Sequence, residues 1–225
     1  MNRLPAELCD RRTACLWRIQ WVCSYATRVR CESEVCGLRI LGIDPGFGRS
    51  GYGVIDAIAG HHTALEYGCV ETAPHTPTGL RLREIFEKMT AIMTTYQPDV
   101  VAIEQLFFAR NVTTALTAAE ARGVVVVAAQ LADIPQVEYT PLQVKQAVVG
   151  YGRADKRQVQ EMVRILLGLR ELPRPDDAAD ALAVALTHAQ QAVFQAQASR
   201  ILEQAARSSK VKAPARRPGK GVLGG

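Results

Sequence analysis

"LGIDPGFGRSGYGVID", residues 41–56, decides the architecture. Gly46, Gly48 and Gly51 stand in the spacing of a dinucleotide-binding fingerprint, and the apolar run "LRILGID" before them reads as a buried strand. A dinucleotide cradle needs a helix to begin at its glycines, so that the positive N-terminus meets the pyrophosphate. Here "GYGVIDAI" follows and reads as a second strand. The glycines therefore make a turn between paired strands, and that turn displays Asp44 at the end of the first, immediately before Pro45.

Outward from this hairpin, "TALEYGCVETA" alternates like a third strand, and "TGLRLREIFEKMTAIMTTY" places Leu80, Ile85, Met89 and Ile92 at helical spacing. "PDVVAIEQ" is a short apolar strand ending at Glu104. "NVTTALTAAEARGVVVVAAQLAD" opens with a cap at Asn111 and holds enough alanine to favour helix despite Gly123. "PQVEYT" returns to strand, and "PLQVKQAVVG", "DKRQVQEMVRILLGL" and "PDDAADALAVALTHAQQ" are helices. In the second of these, Asp155 and Gln158 form a capping box, while Val159, Met162, Val163, Leu166 and Leu167 share a face. The order predicts an α/β fold with a five-stranded mixed sheet flanked by helices. Three strands are antiparallel at one side, and parallel strands are added by helical crossovers.

The chain has 225 residues, of which 48% are hydrophobic and 22% charged, as expected of a soluble globular protein. No stretch approaches the ~18 to 20 apolar residues that span a bilayer, so we expect no membrane partner and a cytoplasmic location. Net charge is +5 but unevenly spread: +2 over residues 1–37, −3 over 38–193 and +6 over 194–225. Basic character sits in the tail, so the overall charge says little about whether the body binds nucleic acid. Cys9, Cys15, Cys23, Cys31 and Cys36 fall in the first segment with no CxxC pair and no histidine, which gives neither a zinc site nor a disulfide framework. We expect residues 1–37 to be a disordered, dispensable or non-native extension, of the kind left by a translation start placed too far upstream. Residues 38–193 form the domain, and 194–225 a basic tail with little to bury, expected to be disordered.

Four acids carry the chemistry. Asp44 closes the first strand, and Glu104 closes "VVAIE", which a crossover helix allows to lie parallel beside it, so the two carboxylates emerge together. Asp177 and Asp180 are three apart on a helix and can point at one spot. Each has an ordinary alternative: an Asp before Pro-Gly suits any turn, and acids in a first helical turn suit the macrodipole. Glu104 is harder to dismiss, because a carboxylate ending an apolar strand is costly to bury without a partner. Converging carboxylates raise one another's pKa and call for compensation by divalent cations, and oxygen-only ligands select Mg²⁺ or Mn²⁺. A pair of ions activates a water and stabilises the attacking and leaving oxygens of a phosphodiester displacement. Two such ions would add +4 to a body at −3, and an acidic domain could then hold a phosphate backbone.

The stretches "LGIDPGFGRSGYGVI", "AIEQLFFARN", "AEARGVVVVAA", "VKQAVVGYGRADKRQVQEMV" and "DDAADALAVALTHA" resemble the RuvC crossover-junction endonuclease family, over residues 38–192. The resemblance implies an RNase H-like fold and a homodimer that resolves four-way Holliday junctions by symmetric paired nicks, with two Mg²⁺ or Mn²⁺ ions per active site. It also implies work beside a branch-migration motor of the RuvA and RuvB type. By motif, the family's acids are Asp44, Glu104, Asp177 and Asp180. Lys145 in "VKQ" and Lys156 in "ADK" would face the scissile phosphate. Phe107 matches an aromatic that stacks near the junction centre, and Arg110, Arg122 and Arg153 are candidate phosphate contacts.

Three other readings compete. RNase H-like enzymes that process structured RNA usually lack the "VKQAVVG" and "ADK" stretches. Actin-like ATPases share the Asp-x-Gly turn but need a second lobe that this length cannot supply. Retention of all four acids argues against a catalytically silent junction binder.

Overall fold

The computed structural model describes residues 37–106 and 112–211 of the chain. Phe107, Arg110 and the expected cap at Asn111 lie outside the described residues, as do residues 1–36 and 212–225.

Five strands, β1 (Gly37–Asp44), β2 (Arg49–Ile58), β3 (His61–Glu71), β4 (Val100–Glu104) and β5 (Gln136–Tyr139), form one sheet in the order β3-β2-β1-β4-β5. The pairs β1–β2 and β2–β3 are antiparallel, while β1–β4 and β4–β5 are parallel. This is the mixed sheet the sequence predicts, and Gly51 lies inside a strand, which removes the dinucleotide reading. Five helices complete the described residues: α1 (Thr78–Tyr96), α2 (Val112–Leu131), α3 (Pro141–Val149), α4 (Lys156–Leu166) and α5 (Asp176–Val211). None is long and apolar enough to cross a membrane.

The period-2 pattern of the strands divides the core in two. Ile40, Ile55, Val100, Ala102 and Tyr139 pack with Val144 and Val148 of α3, Val159 and Val163 of α4, and Leu182 and Leu186 of α5. On the other face Leu41, Ile43, Val54, Val101 and Ile103 pack with α1 and α2. The interior strand β4 is buried on both faces from Val100 to Ile103, as expected of a parallel strand covered by helices. Helix α1 buries Ile85, Met89 and Met93, a strict i, i+4, i+8 stripe, so Leu80 is exposed and Met93 replaces Ile92 in the innermost row.

Between β1 and β2, the Arg39 guanidinium donates to both carboxylate oxygens of its register partner Asp56 at 2.7 and 2.9 Å, and to the Tyr96 carbonyl at 2.9 Å. Its backbone N–H donates to Asp99 at 2.8 Å, tying the start of β1 to β2 and to the end of α1. Helices α3 and α4 each begin with a capping box, Thr140 with Gln143 and Asp155 with Gln158, the second as predicted.

Helix α5 runs to Val211, past the Phe194 boundary at which the sequence suggested order would end. Residues 195–206, "QAQASRILEQAA", have little to bury but consist largely of strong helix formers, and propensity carries them. Its first turns are a different matter, because Ala178 to Ala189 is nearly all small or aliphatic and buried. A Cβ added at Gly42 would collide with the Ala181 carbonyl and come within 2.7 Å of the Ala185 nitrogen; at Gly51 it would collide with the Asp177 carbonyl; at Gly53 it would meet Leu182 at 2.6 Å. These three glycines leave the sheet bare where α5 lies on it. The start of that helix is thereby lowered onto the ends of β1 and β2.

Candidate active site

Asp44 and Glu104 end adjacent parallel strands whose register pairs Ile43 with Ile103, so the carboxylates emerge side by side. Gly51 stands opposite Asp44 on β2, and Tyr139 stands opposite Glu104 on β5. A bare backbone on one side and a phenol on the other thus flank the two acids. Burial, then the nearby carboxylates Asp180 and Asp177, push Asp44 up to about 6; burial, then Asp44 and Asp180, push Glu104 up to about 8. The hydrogen bond between them lowers Asp44 and raises Glu104, so the two carboxyls titrate as a pair that shares one proton.

Asp177 and Asp180 come from the first turns of α5, one turn apart, with the positive end of the helix behind them. Burial raises the Asp180 pKa against the opposing pull of Lys156. The Lys156 Nζ lies 3.1 Å from Asp180 Oδ2 and 3.6 Å from Asp176 Oδ2. Burial works against the lysine's charge, but the hydrogen bond to Asp180 and the surrounding carboxylates outweigh it, and its pKa is raised. Lys145, half-buried on α3, opposes the rise at Glu104. All four predicted acids and both predicted lysines therefore act on one another through space, although they come from five separate elements.

The donor set fits a hard divalent cation. It is built from carboxylates alone, oxygen donors of the kind that Mg²⁺ and Mn²⁺ prefer, while burial and neighbouring acids push the Cys69 thiol on β3 up to about 11. As they stand, the acids are held in pairs by a shared proton, by Lys156 and by Arg49. Among the described residues, no three Asp, Glu, His or Cys side chains close on a single point.

Three features escaped the sequence reading. Arg49 lies with Nη1 4.0 Å from Asp177 Oδ2 and Nε 3.2 Å from Glu71 Oε1. The glycines Gly42 and Gly53 dock α5; their alternation with apolar residues inside strands was the available signal. Tyr139, beside Glu104, is hydrogen-bonded to His188 Nδ1 at 2.8 Å, and burial drives that histidine down to about 4, so it is neutral. Of the candidate phosphate contacts, Arg153 is exposed in the loop between α3 and α4. Arg122 is instead engaged by Glu138 of β5, which also accepts from Gln105.

Comparison with known proteins places this geometry in context. Residues 40–188 match the family model described as crossover junction endodeoxyribonuclease RuvC. The RuvC of Brevibacillus brevis is 53% identical over 157 residues, 70% of this chain and 95% of that protein. That of Heliobacterium modesticaldum is 58% identical over 147 residues, 65% of this chain and 91% of that protein. Among solved structures, Thermus thermophilus RuvC superposes with a TM-score of 0.65 at 40% identity, covering 70% of this chain and 97% of that one. The same enzyme in complex with a Holliday junction substrate gives 0.65 at 39% identity, covering 70% and 96%.

Proposed function

The chain belongs to the RuvC family of crossover junction endodeoxyribonucleases, and from that premise we propose that Asp44, Glu104, Asp177 and Asp180 are its catalytic acids and hold two Mg²⁺ or Mn²⁺ ions. It is a metal-dependent endonuclease that hydrolyses phosphodiester bonds and resolves Holliday junctions. The observation that carries the site assignment is the juxtaposition of Asp44 with Glu104 at adjacent strand ends, under the first turn of a helix that brings Asp177 and Asp180.

When bound, the ions supply Lewis acidity for activating a water and for steadying the attacking and leaving oxygens. The chain's own groups do the rest. Asp44 and Glu104 would lose their shared proton to solvent as the ions bind and would offer oxygens from the sheet, while Asp177 and Asp180 would offer oxygens from the helix. Lys145 and Lys156 face the charge that grows on the phosphate. Arg153, exposed in the loop between α3 and α4, extends the DNA surface beyond the acids, and Phe107 and Arg110, outside the described residues, are proposed as further DNA contacts. Arg122 has a structural partner in Glu138 and contributes to that surface only if it exchanges this partner for phosphate.

The test offers a synthetic four-way junction, linear duplex and structured RNA side by side, with and without Mg²⁺. Paired nicks confined to the junction and absent without metal are expected; preferential RNA cleavage would transfer the site to RNA processing. A branch-migration motor of the RuvA and RuvB type is the partner we propose at the junction.

The enzyme acts as a homodimer, because two strands must be cut symmetrically. Helix α2 supports this reading. Leu116, Val127 and Leu131 are more than half exposed along one side of it, with Gly123 between them, where an added Cβ would meet nothing. Such a seam suits close approach of a second helix. Val127→Glu is expected to yield a monomer in sedimentation; a wild-type chain already monomeric at micromolar concentration removes the dimer.

A further inference from the structure

Arg49 has no part in the reading above, yet it stands at the mouth of the site. It opens β2 and reaches between Glu71 and Asp177, 60% exposed, with 3.2 and 4.0 Å separations. Its backbone is fixed by contacts on both sides of the turn. Ser50 Oγ donates to the Gly46 carbonyl at 2.6 Å, and Thr72 fastens the same turn by donating from its amide to Gly48 at 3.1 Å and from its hydroxyl to Phe47 at 2.8 Å. The Arg81 guanidinium lies 3.9 Å from the centre of the Phe47 ring and donates to Thr72 at 2.9 Å. A side chain rooted on such a turn is a positioned cation at the lip of the acid cluster.

We propose that Arg49 is a phosphate-binding residue whose hold on DNA is switched on by metal. With no metal bound, its guanidinium is drawn between Glu71 at 3.2 Å and Asp177 at 4.0 Å. Once Asp177 ligates a divalent cation, its negative charge is committed, and the guanidinium turns to the DNA strand at the mouth of the site. Only Glu71 then competes for it. That pair is 60% and 62% exposed and well screened by solvent, and a phosphate offers the planar guanidinium a stronger bidentate partner. Lys156 makes the parallel exchange at Asp180, so metal entry unlocks two cations beside the strand to be cut. The inference rests on the assignment of Asp177 as a metal ligand.

The test uses the full-length protein, with Arg49→Gln and Arg49→Lys. Junction affinity is measured by anisotropy against salt concentration, in Ca²⁺ as a non-cutting substitute and in EDTA. In Ca²⁺, Arg49→Gln is expected to flatten the log-log salt slope by about 0.9, the value for one phosphate contact. In EDTA its slope matches wild type, and Arg49→Lys keeps the wild-type slope in both. Without DNA, Arg49→Gln binds Mn²⁺ about 2- to 5-fold tighter, because a competing cation is gone. An equal slope change in both media would mean a permanent contact, and none in either would mean no contact; each overturns the proposal. A wild-type chain that takes up no Mn²⁺ removes the metal-ligand assignment itself, and the proposal with it.

Discussion

Asp44→Asn is expected to abolish junction cutting, by about 10³-fold or more, while leaving junction binding nearly intact and making the metal-free protein more stable. The loss of activity follows from position. Asp44 is the central acid of the cluster, hydrogen-bonded to Glu104 and within the electrostatic reach of Asp177, Asp180 and Lys156. The gain in stability follows from sign. A carboxylate whose folded pKa exceeds its unfolded value binds its proton more tightly in the folded state. Its contribution is therefore complete below an unfolded pKa of about 4 and is lost as pH rises through the folded values of about 6 for Asp44 and about 8 for Glu104. An amide cannot ionise, and it relieves Glu104 of its nearest like charge. In EDTA, the melting temperature of Asp44→Asn should exceed wild type by a few degrees at pH 8, and the gap should shrink toward pH 5. Parallel curves across that range, or residual Mg²⁺-dependent nicking within tenfold of wild type, would remove Asp44 from its central place.

What was legible in the chain was whatever local pattern determines. An apolar run closed by an acid marked Asp44 and Glu104 as strand ends, and i, i+3 spacing put Asp177 and Asp180 on one face. A capping box placed Lys156 at the first position of its helix. What was not legible depends on which segments become neighbours. The partner of Arg122 is Glu138, and nothing near either residue says that β5 will carry one to the other. Arg49 reads as a hairpin residue until β3 and α5 bring Glu71 and Asp177 to it. The reach of α5 was missed for a different reason: a polar, basic segment looked unable to pack, yet a helix of Ala, Gln and Leu does not depend on packing to continue.

The glycines show the same division, and they yield the sharper expectation for stability. Gly46, Gly48 and Gly51 all looked like turn residues. The pairing of Gly51 with Asp44 instead puts it inside the sheet, directly beneath the Asp177 carbonyl. Gly42 sits one strand over, beneath Ala181 and Ala185. In both places the obstacle to a methyl group is helix backbone, which cannot rotate aside as a side chain can. At Gly42 the clash falls in the middle of the buried span of α5, so relief requires the helix to lift from Ile40, Ile55 and their neighbours. Gly42→Ala should cost about 3 kcal/mol or more and lower the melting temperature by roughly 10 °C. At Gly51 the clash falls at the first turn, where only the end of the helix must move, and that end bears Asp177 and Asp180. Gly51→Ala should therefore cost less stability but lower cutting by about 100-fold, since a displacement near 1 Å is enough to disorder a catalytic arrangement. Gly79→Ala, in α1 with open space around it, is the control and should change stability by less than about 1 kcal/mol. The separation of the two effects is the decisive feature: if Gly42→Ala and Gly51→Ala reduce stability and cutting in the same proportion, α5 is not seated on the sheet by these glycines.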